Sequence, residues 1–433
     1  MEFVAPREIL IINVHSTMNA GDTALLWLNM QQLAKAFPSA TFTALVNYPR
    51  ESYYTQLTNL RVMSSAFDLI EAGSERAGLK KILRLVGGCV QLLVSKLLPL
   101  KWLQNSSSPW LRMAYAYRAA DVVAAVSGAQ MVSLGKYSWP LIVSSVPVFI
   151  TNYFHKPLYV MPQSIGPLRW QWEQVLVKQA YSAARLVVLR DTISINLAKN
   201  IGLPPKKVKF AFDPGFALPV VSAARAIEIM SPYGYLPGDP AIGITVIAQL
   251  SKTYDPASLA HYYQTLARVL ARFSATYDIK IFVFDQVRGP TTREDDRIAA
   301  ESLLEIVHEN NRKVTHIKCN LTPMELKACY GLMGLFIASR LHSGIFAMSG
   351  GVPTIFIGYN PKTKGFLDAV GMSQLLLNLD GIDESRLYDL MCQSWENRQA
   401  LAEQTRLIVE KCSQDFDRVS QWIYEDYFIA HQS

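Results

Sequence analysis

The stretch Leu335–Gly371, LFIASRLHSGIFAMSGGVPTIFIGYNPKTKGFLDAVG, reads as strand, loop, helix, strand, loop and helix. Leu335–Ala338 is a short apolar run of the kind that forms a strand buried on both faces. Ser339-Arg340-Leu341-His342 follows at its carboxyl end, where open α/β sheets place their ligands. Ile345–Ser349 makes a short apolar helix, Gly350-Gly351 ends it, and Pro353 forbids its continuation. Thr354–Tyr359 is the next strand, and Lys362 and Lys364 sit in the loop after it. No Asp or Glu occurs from Leu326 to Leu367, whereas Lys327, Arg340, Lys362 and Lys364 do. Neighbouring strands lie about 5 Å apart, so these cations and His342 can converge on one anionic ligand. A structural role for Arg340 and His342, as ion-pair partner and helix cap, is the competing reading. It is weakened because burying an arginine unpaired is costly and this stretch holds no carboxylate.

The chain has 433 residues, 50% apolar and 18% charged, enough for two α/β domains with sizeable cores. Its net charge of +7 suggests an anionic partner. Nucleic acid is disfavoured, because no binding motif or Arg-rich helix is present. The five cysteines are scattered and form no CxxC pair, so no zinc site or disulfide framework is indicated, and they fit a reducing cytosol. The opening MEFVAPREILIINV reads as the approach to a strand rather than a signal peptide. No charge-free apolar stretch of about 18 residues occurs, so no membrane-spanning helix is expected.

Six strands are expected in the first half: Ile9–Val14, Thr41–Asn47, Asp121–Val126, Tyr159–Pro162, Leu186–Leu189 and Lys209–Phe212. They alternate with mostly helical connections and so imply a parallel sheet. The turn His15–Asp22 leads into a helix from about Asp22 to Phe37. Asp22 is placed to cap that helix or, if the loop faces a cleft, to act as a base; His15 is a weaker candidate. Arg190 stands at a strand end, with an ion pair to the adjacent Asp191 as the structural alternative. From Arg76 to Arg118 there are eight Lys or Arg and no acid. Inside lies KKILRLVGGCVQLLVSKLLPLKWL, with Trp102 and Trp110 at or after its end. Basic flanks, apolar body and tryptophans suit a segment lying on anionic lipid. A helical hairpin packed on the domain is the alternative, and Gly87-Gly88 argues against one continuous helix.

Ser231–Pro240 is a Pro/Gly-rich linker. Strands at Ala241–Ile247, Lys280–Phe284, Val314–Ile317, Leu335–Ala338 and Thr354–Tyr359 then build a second sheet. Between them run an amphipathic helix from Asp255-Pro256 to about Tyr277, an acid-rich helix Arg293–Glu309, and a helix Thr322–Leu332 with a capping box from Thr322 and Glu325. The last 50 or so residues read as surface-patterned helix. The fold class is therefore α/β and GT-B-like: two Rossmann-like parallel-sheet domains facing a central cleft. No GxGxxG with a ribose carboxylate and no P-loop appears. The site looks built for a compact, highly charged anion.

At this point the chain resembles the polysaccharide pyruvyl transferase family, close to the type that decorates colanic acid. The resemblance is carried by Asn19-Ala20-Gly21-Asp22, Gln163-Ser164-Ile165-Gly166-Pro167, Arg190-Asp191 with Ser194 and Leu197, Asp213-Pro214, and Asp295-Asp296-Arg297. Its most specific part is Arg340-Leu341-His342 with Ala347, Pro353, Tyr359 and Lys362 or Lys364. It implies phosphoenolpyruvate as co-substrate, no further cofactor, and transfer of a pyruvyl ketal onto a sugar of an exopolysaccharide or cell-surface glycan. Carried over by position, Arg340 and His342 hold the donor with Arg190 assisting. Lys362, Lys364, Tyr359, Asn19 and Gln163 complete the substrate-binding set, with His342 and Asp22 as catalytic residues and no metal. The resemblance divides the chain into an acceptor domain (1–230, with the basic insert 76–118), a linker (231–240) and a donor domain (241–410). A final helix (411–433) would cross back to the first domain. The implied place of work is the cytosol, with a peripheral position on the membrane compatible with the basic insert and with a lipid-linked acceptor. One departure stands out: Ser127-Gly128-Ala129-Gln130 replaces the glycine-rich loop of relatives, which bears on the acceptor. The competing readings are a GT-B glycosyltransferase using a nucleotide sugar and a non-catalytic membrane-associated partner in polysaccharide assembly.

Overall fold

A computed structural model describes residues 5–49, 59–66, 78–133, 138–248, 256–289, 294–308, 313–359 and 361–429. Residues 76–77 of the basic insert, Asp255, and the ends Arg293 and Glu309 of the acid-rich helix lie outside the described residues. The first sheet comprises β1 (Glu8–Ser16), β2 (Thr41–Tyr48), β3 (Leu60–Ser64), β4 (Val122–Ala125), β5 (Gly128–Met131), β6 (Leu158–Ile165), β7 (Leu186–Leu189) and β8 (Val208–Phe210). Its order is β3-β2-β1-β4-β6-β7-β8, with β5 also pairing β6. The second comprises β9 (Ala241–Thr245), β10 (Lys280–Phe284), β11 (Val314–Ile317), β12 (Leu335–Ala338), β13 (Thr354–Gly358) and β14 (Leu376–Asn378), in the order β11-β10-β9-β12-β13-β14. Every named strand pair is parallel. The chain direction of the strand order reverses between β1 and β4 in one domain and between β9 and β12 in the other. Loops leaving the carboxyl ends of strands at such a switch point form a ligand crevice.

The helices of the first domain are α1 (Ala20–Ala36), α2 (Gly78–Ser95), α3 (Leu100–Gln104), α4 (Pro109–Ala119), α5 (Trp139–Tyr153), α6 (Gln171–Ser182), α7 (Thr192–Asn200) and α8 (Ala223–Met230). Those that follow are α9 (Pro256–Tyr277), α10 (Asp296–His308), α11 (Pro323–Tyr330), α12 (Leu341–Ser349), α13 (Pro361–Val370), α14 (Glu384–Glu396) and α15 (Arg398–Ile429). The capping box expected at Thr322 and Glu325 is formed. Asp22 is not the cap of α1; Asn19 accepts from the Gly21 amide in that role, and Asp22 lies in the first turn. Gly87 and Gly88 do not break α2. A Cβ at Gly88 would meet the Trp110 indole at 2.2 Å, so the glycine admits that ring against the helix backbone.

Three joints hold the domains in register. Asn19 and Val287 form an antiparallel bridge, the Ala20 amide donates to the Gln286 carbonyl at 3.0 Å, and the Arg288 amide donates to the Met18 carbonyl at 2.9 Å. A hydrophobic cluster including Ala24, Leu28, Phe212, Phe216, Ile345, Phe346 and Phe366 runs from one domain into the other. Finally, α15 lies on the first domain. Val419 and Ile423 join the core beneath α1, the Tyr159 hydroxyl donates to Asp426 Oδ2 at 2.8 Å, and Arg185 Nε is 2.9 Å from the same oxygen.

Candidate functional site

Both switch points open on one cavity of about 470 Å³ between the domains. From the second domain, β12 delivers Arg340 as the N-cap of α12, with Leu341 and His342 in its first turn. The helix thus starts earlier than the expected Ile345, which fixes His342 on a helix rather than a loop. Arg340 Nη2 lies 2.6 Å from Asp296 Oδ1, with Nε at 3.2 Å, and Tyr359 also engages the guanidinium. Asp296 Oδ2 in turn accepts from the Val287 amide at 2.9 Å and the Gln286 amide at 3.2 Å. Arg340 therefore does have a carboxylate partner, contrary to the inference from the acid-free stretch. The acid comes from α10, 44 residues away.

Lys362 and Lys364 both belong to α13 instead of a loop. Residues two apart on a helix point to different sides, and the structure separates them accordingly. Lys362 lines the cavity. Lys364 is 61% exposed, outside the cavity lining, and pairs with Asp368 at 2.6 Å.

From the first domain come Asn13, His15, Asn19 and Asp22, all in the lining. Asn13 sits at φ 64° where the β1–β2 register shifts, and its amide donates to the Ser144 carbonyl at 3.1 Å. Such left-handed residues in a strand bulge re-aim the chain at functional clefts. Arg190 enters the lining from the end of β7. Its partner is Asp213 and not the adjacent Asp191, which instead caps α7 through the Ser194 amide. Asp213 also accepts from the Gly215 amide at 2.8 Å and lies 3.7 Å from His342 Nε2. On its other side His342 abuts Gly21, where a Cβ would fall 2.3 Å from Nδ1. Gln163 is not in the cleft. It lies within β6, wholly buried, donating to the Val126 carbonyl and accepting from the Tyr181 hydroxyl, both at 2.8 Å. The sequence ended this strand at Pro162, whereas it runs on to Ile165.

The charges in the cleft perturb one another. Burial raises the Asp22 carboxyl above the usual range, partly opposed by His15, His342 and Lys362. Burial lowers the Lys362 ammonium to about 8, with Arg190 pushing the same way. Burial also raises Asp296 to about 6 despite the pull of Arg340. For Asp213 burial pushes upward too, but the Arg190 guanidinium and neighbouring His342 outweigh it and hold the carboxyl well below the usual range. The result is two anchored arginines, a lysine made easier to discharge and an imidazole around one space, beside a carboxyl whose proton affinity burial has raised. That set can hold a doubly anionic small molecule by arginine forks and carry general acid–base chemistry beside it.

The rest of the wall is different. Asn47, Tyr48, Ser65, Gln130 and Ser144 offer neutral hydrogen-bonding groups, and Met113, Pro140, Val143 and Pro147 an apolar floor. His15 stands at its edge, 5.2 Å from the Tyr48 ring and 3.7 Å from Glu294. Sequence reasoning singled out none of these neutral residues as ligands. It also gave no role to Asp296 or Asp213, although both lie in the motifs that carried the resemblance. Ser127–Gln130, expected as a loop, instead places Gly128–Met131 in the short strand β5, which brings Gly128, Ala129 and Gln130 to the cleft wall. Among the described residues no group of three or more His, Cys, Asp or Glu could hold a metal ion.

The chain is similar to the amylovoran biosynthesis protein AmsJ of Erwinia amylovora, 20% identical over 411 residues, 93% of this chain and 96% of that protein. This chain's fold is similar to that of HepE (Alr3699) of Anabaena in complex with UDP-glucose, with a TM-score of 0.57 at 15% identity over 96% of this chain and 98% of the other. A putative UDP-N-acetylglucosamine 2-epimerase from Listeria monocytogenes is similar at a TM-score of 0.61, 10% identity and 98% of both chains. These structures establish two parallel-sheet domains of GT-B type. The profile of the polysaccharide pyruvyl transferases matches residues 19–361, a span that contains both anchored arginines, His342 and the strand ends that aim them, and the chain belongs to that family.

Proposed function

We propose that the cleft binds phosphoenolpyruvate and transfers its pyruvyl group, as a ketal, onto two hydroxyls of a sugar in an exopolysaccharide or cell-surface glycan repeat unit. The convergence of Arg190, Arg340, Lys362 and His342 from both domains on one cavity carries this reading. Phosphoenolpyruvate has a phosphate and a carboxylate, and the two guanidiniums suit those groups. A proton added to the methylene carbon makes the methyl group and leaves an oxocarbenium-like centre at the neighbouring carbon. A sugar hydroxyl attacks there and loses its proton, phosphate departs, and a second hydroxyl adds at the same carbon to close the ring. Two hydroxyl protons are released; one balances that taken up by the methyl group and the other leaves with phosphate. His342 contacts the donor and supplies the methylene proton. Asp22, its basicity raised by burial, takes the hydroxyl proton. The neutral polar wall with its apolar floor suits the sugar. Tyr359 and Asn19, which both line the cavity, complete the substrate contacts.

Calorimetric titration of phosphoenolpyruvate into the wild type and Arg340→Ala tests the reading. Saturable binding by the wild type and a loss of about 100-fold or more in the variant are expected, since a fork to an anion contributes about 1.5–3 kcal/mol per bond. Titration with a nucleoside diphosphate runs in parallel. Binding of that ligand with none of phosphoenolpyruvate would instead favour a nucleotide-sugar transferase.

A further inference from the structure

The basic insert carries an observation that the cleft does not use: α2 is apolar on two faces. Its inner stripe, Leu85, Gly88, Leu92 and Ser95, packs toward the domain, with Gly88 against Trp110 of α4 and the Ser95 carbonyl accepting from Arg118 at 2.8 Å. Its outer stripe, Leu83, Val86, Val90, Leu93 and Val94, is at least 45% exposed at every position. Leu97 at 86% and Trp102 at 67% continue that stripe past the helix end. The 3- and 4-residue spacing places the stripe on one helix face. A contiguous water-facing apolar surface of this kind marks an interaction site.

The charges say what covers it. From Arg76 to Trp172 the sole acid is Asp121, and its carboxylate is occupied elsewhere, accepting from the Arg7 and Glu8 amides at 2.8 and 3.0 Å. Arg84, Lys96 and Lys101 flank the stripe instead. Apolar side chains ringed by cations, with a tryptophan at the margin, match the boundary between acyl chains and anionic headgroups. No described helix is long and apolar enough to cross a membrane, so the matching arrangement is a helix lying in the plane of the surface.

We propose that α2, with Leu97 after it and Trp102 of α3 beyond, docks this protein flat on an anionic lipid bilayer. Met113 of α4 lines the cleft, and α2 packs on α4. Docking therefore sets the neutral, apolar-floored wall of the cleft one helix layer from the lipid. The docking rests on the insert alone and is independent of the donor assignment.

The test is co-sedimentation of the full chain with vesicles of phosphatidylcholine, with and without phosphatidylglycerol. Binding is expected to be about tenfold or more tighter with the anionic lipid and to weaken as salt rises. Lys101→Glu should weaken it about fivefold or more, in line with the contribution of one surface cation. The double variant Leu97→Glu/Trp102→Ala should weaken it about tenfold or more while keeping the wild-type urea midpoint, because both side chains face water. Absence of vesicle binding at low salt, or equal binding by wild type and variants, overturns the proposal. So does a concentration-dependent dimer abolished by the double variant, which would assign the stripe to a second copy of the chain. Phosphoenolpyruvate titration of the same variants separates this from the catalytic reading. Docking without donor binding in any variant or the wild type would leave the lipid surface standing and remove the donor.

Discussion

Arg190 and Arg340 occupy matching places in the two domains. Each follows a parallel strand at its sheet's ligand edge, each is largely buried, and each is held by a carboxylate from another element. The two carboxylates nevertheless behave oppositely. Asp213 is shared between Arg190, the Gly215 amide and the nearby His342, and together these outweigh the burial cost. Asp296 is equally buried but pairs with one arginine and has a second acid, Asp285, close enough to push against it, so burial wins. Asp285 is itself committed to His316 at 2.7 Å and Arg288 at 3.2 Å. Burial alone therefore does not decide whether a carboxylate serves as a fixed anchor or a titratable one. The balance of neighbouring charges and hydrogen-bond donors around each carboxylate does.

Asp213→Asn should break the comparison's fixed half and have the largest effect. It leaves Arg190 buried without its counter-charge, at a cost of about 3–5 kcal/mol near pH 7, read as a lower urea midpoint. Asp213 is depressed, so its contribution is present above about pH 4 and is lost as pH falls toward its folded value. A loss no larger than that of Asp296→Asn would refute the contrast.

Asp296→Asn tests the titratable half. Its carboxyl is raised to about 6, so the unfolded chain gives up this proton first. Stability from this group is highest below about pH 4, declines on the order of 3 kcal/mol between about pH 4 and 6, and levels off above. The asparagine resembles the protonated acid. Because it cannot ionise, its cost relative to the wild type should be smaller at pH 7 than at pH 5, by about 1 kcal/mol, in urea titrations at the two pH values.

Lys362→Met probes the cation between the two pairs. The wild type should lose phosphoenolpyruvate affinity as pH rises through about 8, where the lysine discharges. The variant should bind roughly tenfold more weakly and without that step, since one charge-assisted bond contributes about 1.5–3 kcal/mol. Lys364→Ala marks the lower limit. An exposed i,i+4 pair contributes about 0.3–0.5 kcal/mol, so stability should move by no more than that and donor affinity not at all. A tenfold loss of affinity would place Lys364 in the cleft after all.

Much of this protein was legible from its residues. β7, β10, β11 and β12 fall where their apolar runs place them, because a short run of buried-strand residues between turn signals leaves little freedom. The strand ends then fixed Arg190, Arg340 and His342 at the ligand edge, and the run of turn residues before α1 fixed Asn19 and Asp22. Less legible were β3, β5 and β14, each five residues or fewer with partly exposed or polar positions. Nor was α5 anticipated, since Pro147 lies inside it; the Pro147 carbonyl accepts from the Thr151 and Tyr117 hydroxyls at 2.9 and 3.0 Å.

What the sequence determined by itself was the alternation of strands and helices, hence two doubly wound sheets and the edge at which each presents its ligands. Those features depend on local periodicity and turn chemistry, which act within a few residues. Only the tertiary structure decided the partners of the charges. Asp213 reaches Arg190 from beyond the neighbouring strand β8, and Asp296 reaches Arg340 across β9, which separates β10 from β12, so an acid-free window in the chain did not mean an acid-free site. The same holds for orientation. Gln163 turned into the core because β6 runs three residues past Pro162, and Lys364 turned to solvent because α13 begins before it. In each case the side chain's surroundings are set by elements distant in sequence, whose packing no local pattern encodes.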